Sequence, residues 1–141
     1  MQNNKPKLLK TILTITGSDS TGGSGVQADI RTIATLGGYA VSAVTSVTVQ
    51  NTLGIQAFYD LPAEIVRGQI EAIINDMQPD TVKVGMIRPI ETLAVVVDAL
   101  LKYRPHHIIY DPIVTASNGD RLMTDDVITQ IRCRLLPLCS L

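Results

Sequence analysis

Short apolar runs rich in β-branched residues alternate along the chain with segments that have a helical period. The first run, Thr11–Thr16, ends at Gly17, and residues 25–36 then place apolar side chains at helical spacing until Gly37 and Gly38 stop the helix. Parallel strands need long crossover connections, which helices usually supply. The alternation therefore predicts a layered α/β domain with a mostly parallel central sheet.

The same alternation continues over the rest of the chain. The pattern predicts strands over residues 39–51, 55–60, 81–86 and 107–114. Further helices are predicted from Pro62, over residues 91–103, and after Thr124, which is a good N-cap residue. The helix that begins at Pro62 has a stripe of residues at helical spacing, which is expected to face the core. The stripe consists of Ile65, Gln69, Ile73 and Met77, with Ile70 and Ile74 beside it. In the last helix, Cys133 is expected to be packed.

Composition excludes several classes of protein. The chain has 141 residues and a formal net charge of −1, which gives no electrostatic case for binding nucleic acid or an anionic membrane. The N-terminal segment "MQNNKPKLLKTILTITG" is interrupted by polar residues and is not followed by a signal-peptide cleavage site. Cys133 and Cys139 have no metal-ligand spacing and are expected to be reduced thiols. These features predict a cytoplasmic protein.

The stretch "ITGSDSTGGSGVQAD", residues 15–29, resembles nucleotide-binding loops only in part. Gly17 and Gly22 have the Walker A separation, but Gly23 stands where the phosphate-binding lysine belongs. A dinucleotide fingerprint is formally met, yet no acidic residue ends the second predicted strand to hold a ribose. The stretch is therefore interpreted as a wide glycine turn that lets a ligand approach the backbone, with Asp29 on the helix that follows.

Polar and glycine residues follow the predicted strands at their carboxyl ends, where ligands of α/β sheets gather. They are Gly17–Asp19, Gln50-Asn51, Gly85-Met86 and Asp111-Pro112. Asn118, Gly119 and Asp120 are expected to form a turn, and no chemistry is assigned to them.

The segment "TITGSDSTGGSGVQADIRTIATLGGYAVSAVTSVTVQNTLG" resembles the N-terminal part of hydroxymethylpyrimidine/phosphomethylpyrimidine kinases, members of the ribokinase-like superfamily. The resemblance continues through "VKVGMI", "IIYDPIV", "SNGDRLMTDD" and "RLLPLCSL". It implies a ribokinase-like three-layer fold of which residues 11–141 form the N-terminal half, after an extension over residues 1–10.

The resemblance also implies an activity. The family uses ATP and Mg²⁺ to phosphorylate 4-amino-5-hydroxymethyl-2-methylpyrimidine and then its monophosphate in thiamin biosynthesis. The implied pyrimidine contacts are Gly17, Asp29, Gln50, Met86 and Ile113. Their chemistry suits this ring: the Gln50 amide both donates and accepts hydrogen bonds, the Asp29 carboxylate accepts them, and Met86 and Ile113 offer apolar walls.

Asp111 is the implied residue near Mg²⁺ and the phosphates, since carboxylates are usual ligands of this cation. The catalytic residue is expected beyond Leu141, because the resemblance covers only the first half of a kinase. Three alternatives remain open: a kinase that acts on pyridoxal, a pyrimidine-binding module without catalysis, and an inactive truncated chain. The family resemblance makes a homodimer possible.

Overall fold

The computed structural model describes residues 9–116 and 118–141 of the chain. Four parallel strands form the main sheet in the order β2-β1-β5-β6, where β1 is Thr11–Thr16, β2 is Tyr39–Val44, β5 is Thr81–Val84 and β6 is His107–Tyr110. The structure thus confirms the predicted α/β class with a mostly parallel sheet.

Each face of the sheet is covered by different helices. Helices α2 (Ala63–Met77) and α3 (Ile90–Tyr103) pack on the face to which Leu13 and Ile15 point, and together they form the main apolar core. Helix α1 (Gly25–Thr35) contacts β1 and β2 on the opposite face. Only Val26 of its predicted apolar face is buried, and the other residues of that face are half-buried or exposed.

The strand predicted over residues 39–51 is in fact two strands that belong to different sheets. After β2, the chain turns at the buried residue Thr45, and β3 (Ser46–Asn51) pairs antiparallel with β4 (Gly54–Asp60). Thr45 donates its N–H to Thr16 O at 2.9 Å and its hydroxyl to Met86 O at 3.0 Å. The single-strand prediction is wrong because these bonds to neighbouring strands turn the chain inside one unbroken β-branched run.

The predicted core face of α2 is shifted around the helix by one position. Val66, Ile70 and Ile74 are buried, whereas Ile65 is half exposed. Gln69 does not join the core: its amide accepts from Val44 N at 2.9 Å and donates to Val44 O at 3.0 Å. Because β2 is an edge strand, this side chain satisfies backbone groups that have no neighbouring strand.

The last helical segment changes type along its length. Helix α4 (Asp125–Gln130) begins after Thr124, whose hydroxyl accepts from Val127 N as predicted, and continues as a π-helical turn over Ile131–Leu135 and a 3₁₀ turn over Leu136–Leu138. Cys133 is exposed on this segment, so the prediction that it is packed is wrong. Both cysteines are free thiols.

Residues Ser140 and Leu141 run beside the outer edge of β6. Ser140 donates its N–H to Ile108 O at 2.7 Å, and Leu141 O accepts from Tyr110 N at 2.9 Å. In the part of the chain that the structure describes, no helix has both the length and the apolar character that a membrane crossing requires.

Candidate functional site

A cavity of about 390 Å³ opens at the carboxyl ends of β1 and β5, beneath the β3–β4 hairpin. Its volume falls in the range of small-molecule sites. Three stretches and Met86 form its walls: Thr16, Gly17, Ser18, Ser24 and Gly25 from the glycine-rich loop; Thr48 and residues 50–55 from the hairpin; and Ile113, Thr115, Ala116, Asn118 and Leu122 after β6.

Four of the five predicted substrate residues come together in this cavity. Gly17 ends β1, Gln50 lies near the tip of the hairpin, Met86 follows β5, and Ile113 follows β6. They are up to 96 positions apart in sequence, from Gly17 to Ile113. Gly17, Met86 and Ile113 come together because the parallel strands β1, β5 and β6 end at the same edge of the sheet, whereas Gln50 reaches the cavity on the antiparallel hairpin.

Glycine is required where the loop packs on itself. A Cβ on Gly25 would lie 2.3 Å from Gly17 O, and the φ of Gly25, +59°, is one that other residues rarely adopt. A Cβ on Gly17 would lie 2.6 Å from the terminal methyl carbon of Met86. The glycine-rich loop therefore brings its backbone close to the cavity instead of filling that space with side chains.

The Asp19 carboxylate organises this loop from within. It is 3% exposed and accepts hydrogen bonds from the N–H and hydroxyl of Thr21, both at 2.8 Å, and from the N–H and hydroxyl of Ser24, at 2.9 and 3.0 Å. Burial alone would raise the pKa of Asp19, but these four bonds to the charged form outweigh it and lower the pKa below its usual value. The loop thus folds around an ionised carboxylate.

Thr48 connects the hairpin to the glycine-rich loop. Its hydroxyl lies 2.9 Å from Ser18 O, its carbonyl accepts from the Ser20 hydroxyl at 3.1 Å, and Ser18 donates its N–H to Ser46 O at 2.8 Å. These bonds fix the two walls of the cavity relative to each other.

The cavity offers hydrogen-bonding groups and apolar surface but no net charge. Among the described residues that line it, none has an ionisable side chain. Hydroxyls and amides come from Thr48, Gln50 and Asn118, and apolar contacts come from Met86 and Ile113. Such a site suits a neutral polar ring better than a phosphate group.

The fifth predicted residue, Asp29, lies elsewhere. Its carboxylate accepts from the Thr14 hydroxyl and from Lys83 Nζ, the latter at 2.9 and 3.2 Å, on the face of the sheet that α1 covers. There it lines a separate, more open groove of about 570 Å³. The structure does not bring Asp29 together with Gln50, because Asp29 is on the side of α1 that turns toward the middle of β1 and β5.

Asp111, the predicted magnesium residue, follows β6 and has a half-exposed carboxylate 3.5 Å from Lys83 Nζ. No three carboxylate, histidine or cysteine side chains cluster as metal ligands within residues 9–116 and 118–141. An exposed carboxylate at a strand end fits the way Mg²⁺ is bound when phosphates and water supply its other ligands.

Several lining residues were not predicted. Thr48 lies within a strand and carries no sequence signal beyond its hydroxyl. Asn118 is in the expected turn, where its amide donates to Asp120 at 2.7 Å, and a Cβ on Gly54 would lie 2.8 Å from Asn118 Nδ2. The hairpin tip and the turn therefore lie close together at the cavity wall, which only the folded chain shows.

Comparison with known proteins indicates the family of this chain. The family profile described as phosphomethylpyrimidine kinase matches residues 19–141. A hydroxymethylpyrimidine/phosphomethylpyrimidine kinase of Mycobacterium leprae is 42% identical over 130 residues, which are 92% of this chain and 47% of that protein. The chain spans about half the length of the curated relatives it matches.

Solved structures share the fold. The crystal structure of phosphomethylpyrimidine kinase from Clostridium difficile 630 is similar with a TM-score of 0.87 and 38% identity, over 92% of this chain and 56% of that one. The pyridoxal kinase of Staphylococcus aureus in complex with ADP has a TM-score of 0.82 and 26% identity, over 94% and 47% of the two chains. The fold is therefore the predicted ribokinase-like one, and the chain belongs to the phosphomethylpyrimidine kinase family.

Proposed function

We propose that this chain binds 4-amino-5-hydroxymethyl-2-methylpyrimidine in the cavity beneath the hairpin. We further propose that the whole protein phosphorylates this compound and then its monophosphate, using ATP. The observation that carries the proposal is the uncharged cavity in which Gly17, Gln50, Met86 and Ile113 meet. Family membership supports the choice of ring and reaction.

The chemistry of the cavity matches that of an aminopyrimidine. The ring has a donor in its exocyclic amino group and acceptors in its ring nitrogens, and the Gln50 amide can serve either kind. Met86 and Ile113 would contact the faces of the ring, while Gly17 lets it approach the backbone. Asp29 is kept in the proposed substrate set because of the family resemblance, although Thr14 and Lys83 are its partners here.

Transfer of the phosphoryl group depends on positioning and on stabilising charge at the γ-phosphate. The related pyridoxal kinase of Staphylococcus aureus is described in complex with ADP, which supports ATP as the donor. We propose that Asp111 holds Mg²⁺, which would neutralise phosphate charge when bound. The role of the cavity is then to hold the hydroxymethyl group in place and exclude water around it.

Titration calorimetry with the pyrimidine tests the binding step. Replacing Gln50 by Ala removes amide hydrogen bonds to the ring and should weaken binding about tenfold or more. Gln56→Ala is the matched control, because Gln56 is an exposed glutamine of the same hairpin outside the cavity. Wild-type protein that does not bind the pyrimidine, or a Gln50→Ala variant with unchanged affinity, would contradict the proposal.

Two other functions are distinguished in the same titration. Similarity to the pyridoxal kinase structure favours pyridoxal as the second candidate, and a higher affinity for pyridoxal than for the pyrimidine would select it. A binding module without catalysis would take up the pyrimidine and neither bind ATP–Mg²⁺ nor form the monophosphate. An inactive chain would bind none of these ligands.

Three remaining expectations also stay proposals. We propose that residues 11–141 are the N-terminal part of a ribokinase-like kinase domain, that the protein acts in the cytoplasm, and that it forms a homodimer. The first proposal is supported by the comparison with the relatives, because this chain aligns with only about half of their length.

A further inference from the structure

The hydroxyl of Thr48 lies between two groups that both carry lone pairs. Thr48 Oγ1 is 2.9 Å from Ser18 O and 3.2 Å from the side-chain amide of Gln50, at the atom placed as Oε1. Both residues line the cavity, and Thr48 is buried. The bonding of this one hydroxyl therefore affects which end of the Gln50 amide is presented to a ligand.

The number of protons on the Thr48 hydroxyl determines which of the two groups accepts a hydrogen bond from it. A threonine hydroxyl has one proton to donate and two lone pairs to accept with. Ser18 O is a backbone carbonyl that can only accept, and it is the nearer partner, so it takes the Thr48 proton. Thr48 Oγ1 then faces the Gln50 amide with lone pairs only, and it can form a hydrogen bond there only if the amide nitrogen faces it.

The oxygen and nitrogen of a glutamine amide exchange places by a half-turn that changes nothing else, and their assignment follows from the hydrogen-bond network. With Nε2 toward Thr48, the three groups form one chain of bonds: Gln50 Nε2–H donates to Thr48 Oγ1, and the Thr48 hydroxyl donates to Ser18 O. In the opposite orientation two acceptors compete for one proton. Within the described part of the chain, no other side-chain or backbone group hydrogen-bonds the Gln50 amide.

We propose that Thr48 is a positioning residue that holds the Gln50 amide with Oε1 toward the cavity. The site then presents a hydrogen-bond acceptor, and it selects ligands that offer a donor at the matching position. Buried sites reject a ligand that leaves their polar groups unpaired.

The inference rests on the proposed function and sharpens it. A pyrimidine with a 4-amino group donates to Gln50 Oε1, whereas its 4-oxo counterpart would place a second acceptor against it. We expect the amino compound to bind about tenfold more tightly than the oxo compound, since one hydrogen bond is exchanged for a repulsive contact.

The orientation itself is tested without any ligand. In NMR spectra of the wild-type chain, one Gln50 Nε2–H proton should exchange slowly with water and show a nuclear Overhauser contact to Thr48. In Thr48→Val that protection should be lost, and in Thr48→Ser, which keeps the hydroxyl, it should be retained. Exposed Gln56 supplies the reference for an unprotected side-chain amide. Two fast-exchanging Gln50 protons in the wild-type chain would overturn the proposal.

Calorimetry with the 4-amino and 4-oxo pyrimidines tests the consequence. The wild type and Thr48→Ser should prefer the amino compound, and Thr48→Val, in which the amide can turn freely, should bind the two within about threefold. A Thr48→Val variant that keeps the full preference, or a wild type that prefers the oxo compound, would overturn the role of Thr48. A wild type that binds neither compound while its Gln50 amide is protected would reject the proposed function and confirm the amide orientation.

Discussion

At the residue scale, Asp19 combines burial with charge. Within residues 9–116 and 118–141 it is the only charged side chain that is buried, and it accepts four hydrogen bonds from its own loop. We expect Asp19→Ala to lower the free energy of unfolding by roughly 3 kcal/mol, because it removes the charged acceptor of four hydrogen bonds from Thr21 and Ser24. Urea unfolding at pH 7 measures this loss.

The effect of Asp19→Ala should depend on pH. Because the folded-state pKa of Asp19 is lowered, its contribution is fully present above the unfolded value of 3.8 and disappears as the pH falls through the folded-state pKa. The difference between variant and wild type should therefore shrink below pH 3.8. The exposed carboxylate Asp76 is the control, and Asp76→Ala should change stability by less than about 0.5 kcal/mol. An Asp19→Ala difference that does not vary with pH would contradict the proposed source of stability.

Gly25 adopts a left-handed backbone conformation next to the backbone of Gly17. Gly25→Ala combines a left-handed φ of +59° with a Cβ 2.3 Å from Gly17 O, so the loop has to move. We expect a loss of about 2 kcal/mol or more in stability and a clear loss of pyrimidine affinity. Gly68 lies in α2, where an added Cβ would meet no atom within 4 Å, so Gly68→Ala should instead stabilise by about 0.5–1 kcal/mol. Equal effects of the two substitutions in urea unfolding would refute the argument.

At the element scale, α2 shows what helical spacing can and cannot predict. The spacing located the helix, but it placed Ile65 and Gln69 on the core face, although the adjacent face of Ile70 and Ile74 was apolar as well. Gln69 determines which face of α2 packs on the core, because its amide hydrogen-bonds the backbone of Val44 at the edge of β2. That contact rotates Ile70 into the core and Ile65 toward water.

The two isoleucines of α2 provide a matched test of this rotation. Ile70 is 0% exposed and Ile65 is 50% exposed. Ile70→Ala should cost about 2–5 kcal/mol of unfolding free energy, whereas Ile65→Ala should cost less than about 1 kcal/mol. Chemical denaturation of both variants measures the contrast. A larger loss for Ile65→Ala would restore the core face that the spacing alone predicts.

The hairpin was missed for a different reason. Residues 39–51 form one continuous pattern of β-branched and hydroxyl residues without glycine or proline, so no local signal marks a turn. Thr45 turns the chain through bonds to Thr16 and Met86, which lie in other strands or beyond them. Such tertiary contacts override local strand propensity and cannot be derived from the segment alone.

At the scale of the whole molecule, the burial of Tyr110 in the sheet makes the stability of the fold depend on alkaline pH. Tyr110 ends the buried face of β6, and burial, with the nearby negative charge of Asp111, raises the pKa of its phenol to about 12. The unfolded chain releases this proton near pH 10.0, so the folded state holds a proton that the unfolded state has lost. Stability should therefore fall between pH 10.0 and about 12, by roughly 2 kcal/mol in total.

Tyr110→Phe separates this effect from general alkaline unfolding. The variant has no phenolic proton at this position, so its stability should fall less steeply over the same pH range. Denaturation curves at several alkaline pH values measure both slopes, and the difference in tyrosinate absorbance between the two proteins reports the Tyr110 titration directly. Parallel slopes for the two proteins would show that Tyr110 does not carry the effect.

The site was predictable to the extent that it follows from topology. Gly17, Gln50 and Met86 were expected in one place because the carboxyl ends of parallel strands meet. Gly17 and Met86 do follow the parallel strands β1 and β5, whereas Gln50 reaches the same cavity on the antiparallel β3–β4 hairpin. Asp29 was expected there from its position near the glycine loop, but the direction of a helical side chain depends on how the helix packs. Lys83, on a neighbouring strand, draws it to the other side.

The three stretches that form the cavity also bear on how the protein folds. Their lining residues fall within 16–25, within 48–55 and, after β6, within 113–116 and 118–122. Because these ranges are far apart in sequence, the cavity exists only after long segments of chain have been closed into loops. Contacts of this kind form slowly, because the entropy of loop closure is lost before they are made. Competence to bind the pyrimidine should thus be among the last properties that a refolding chain acquires, after its helices and the first strand pair have formed.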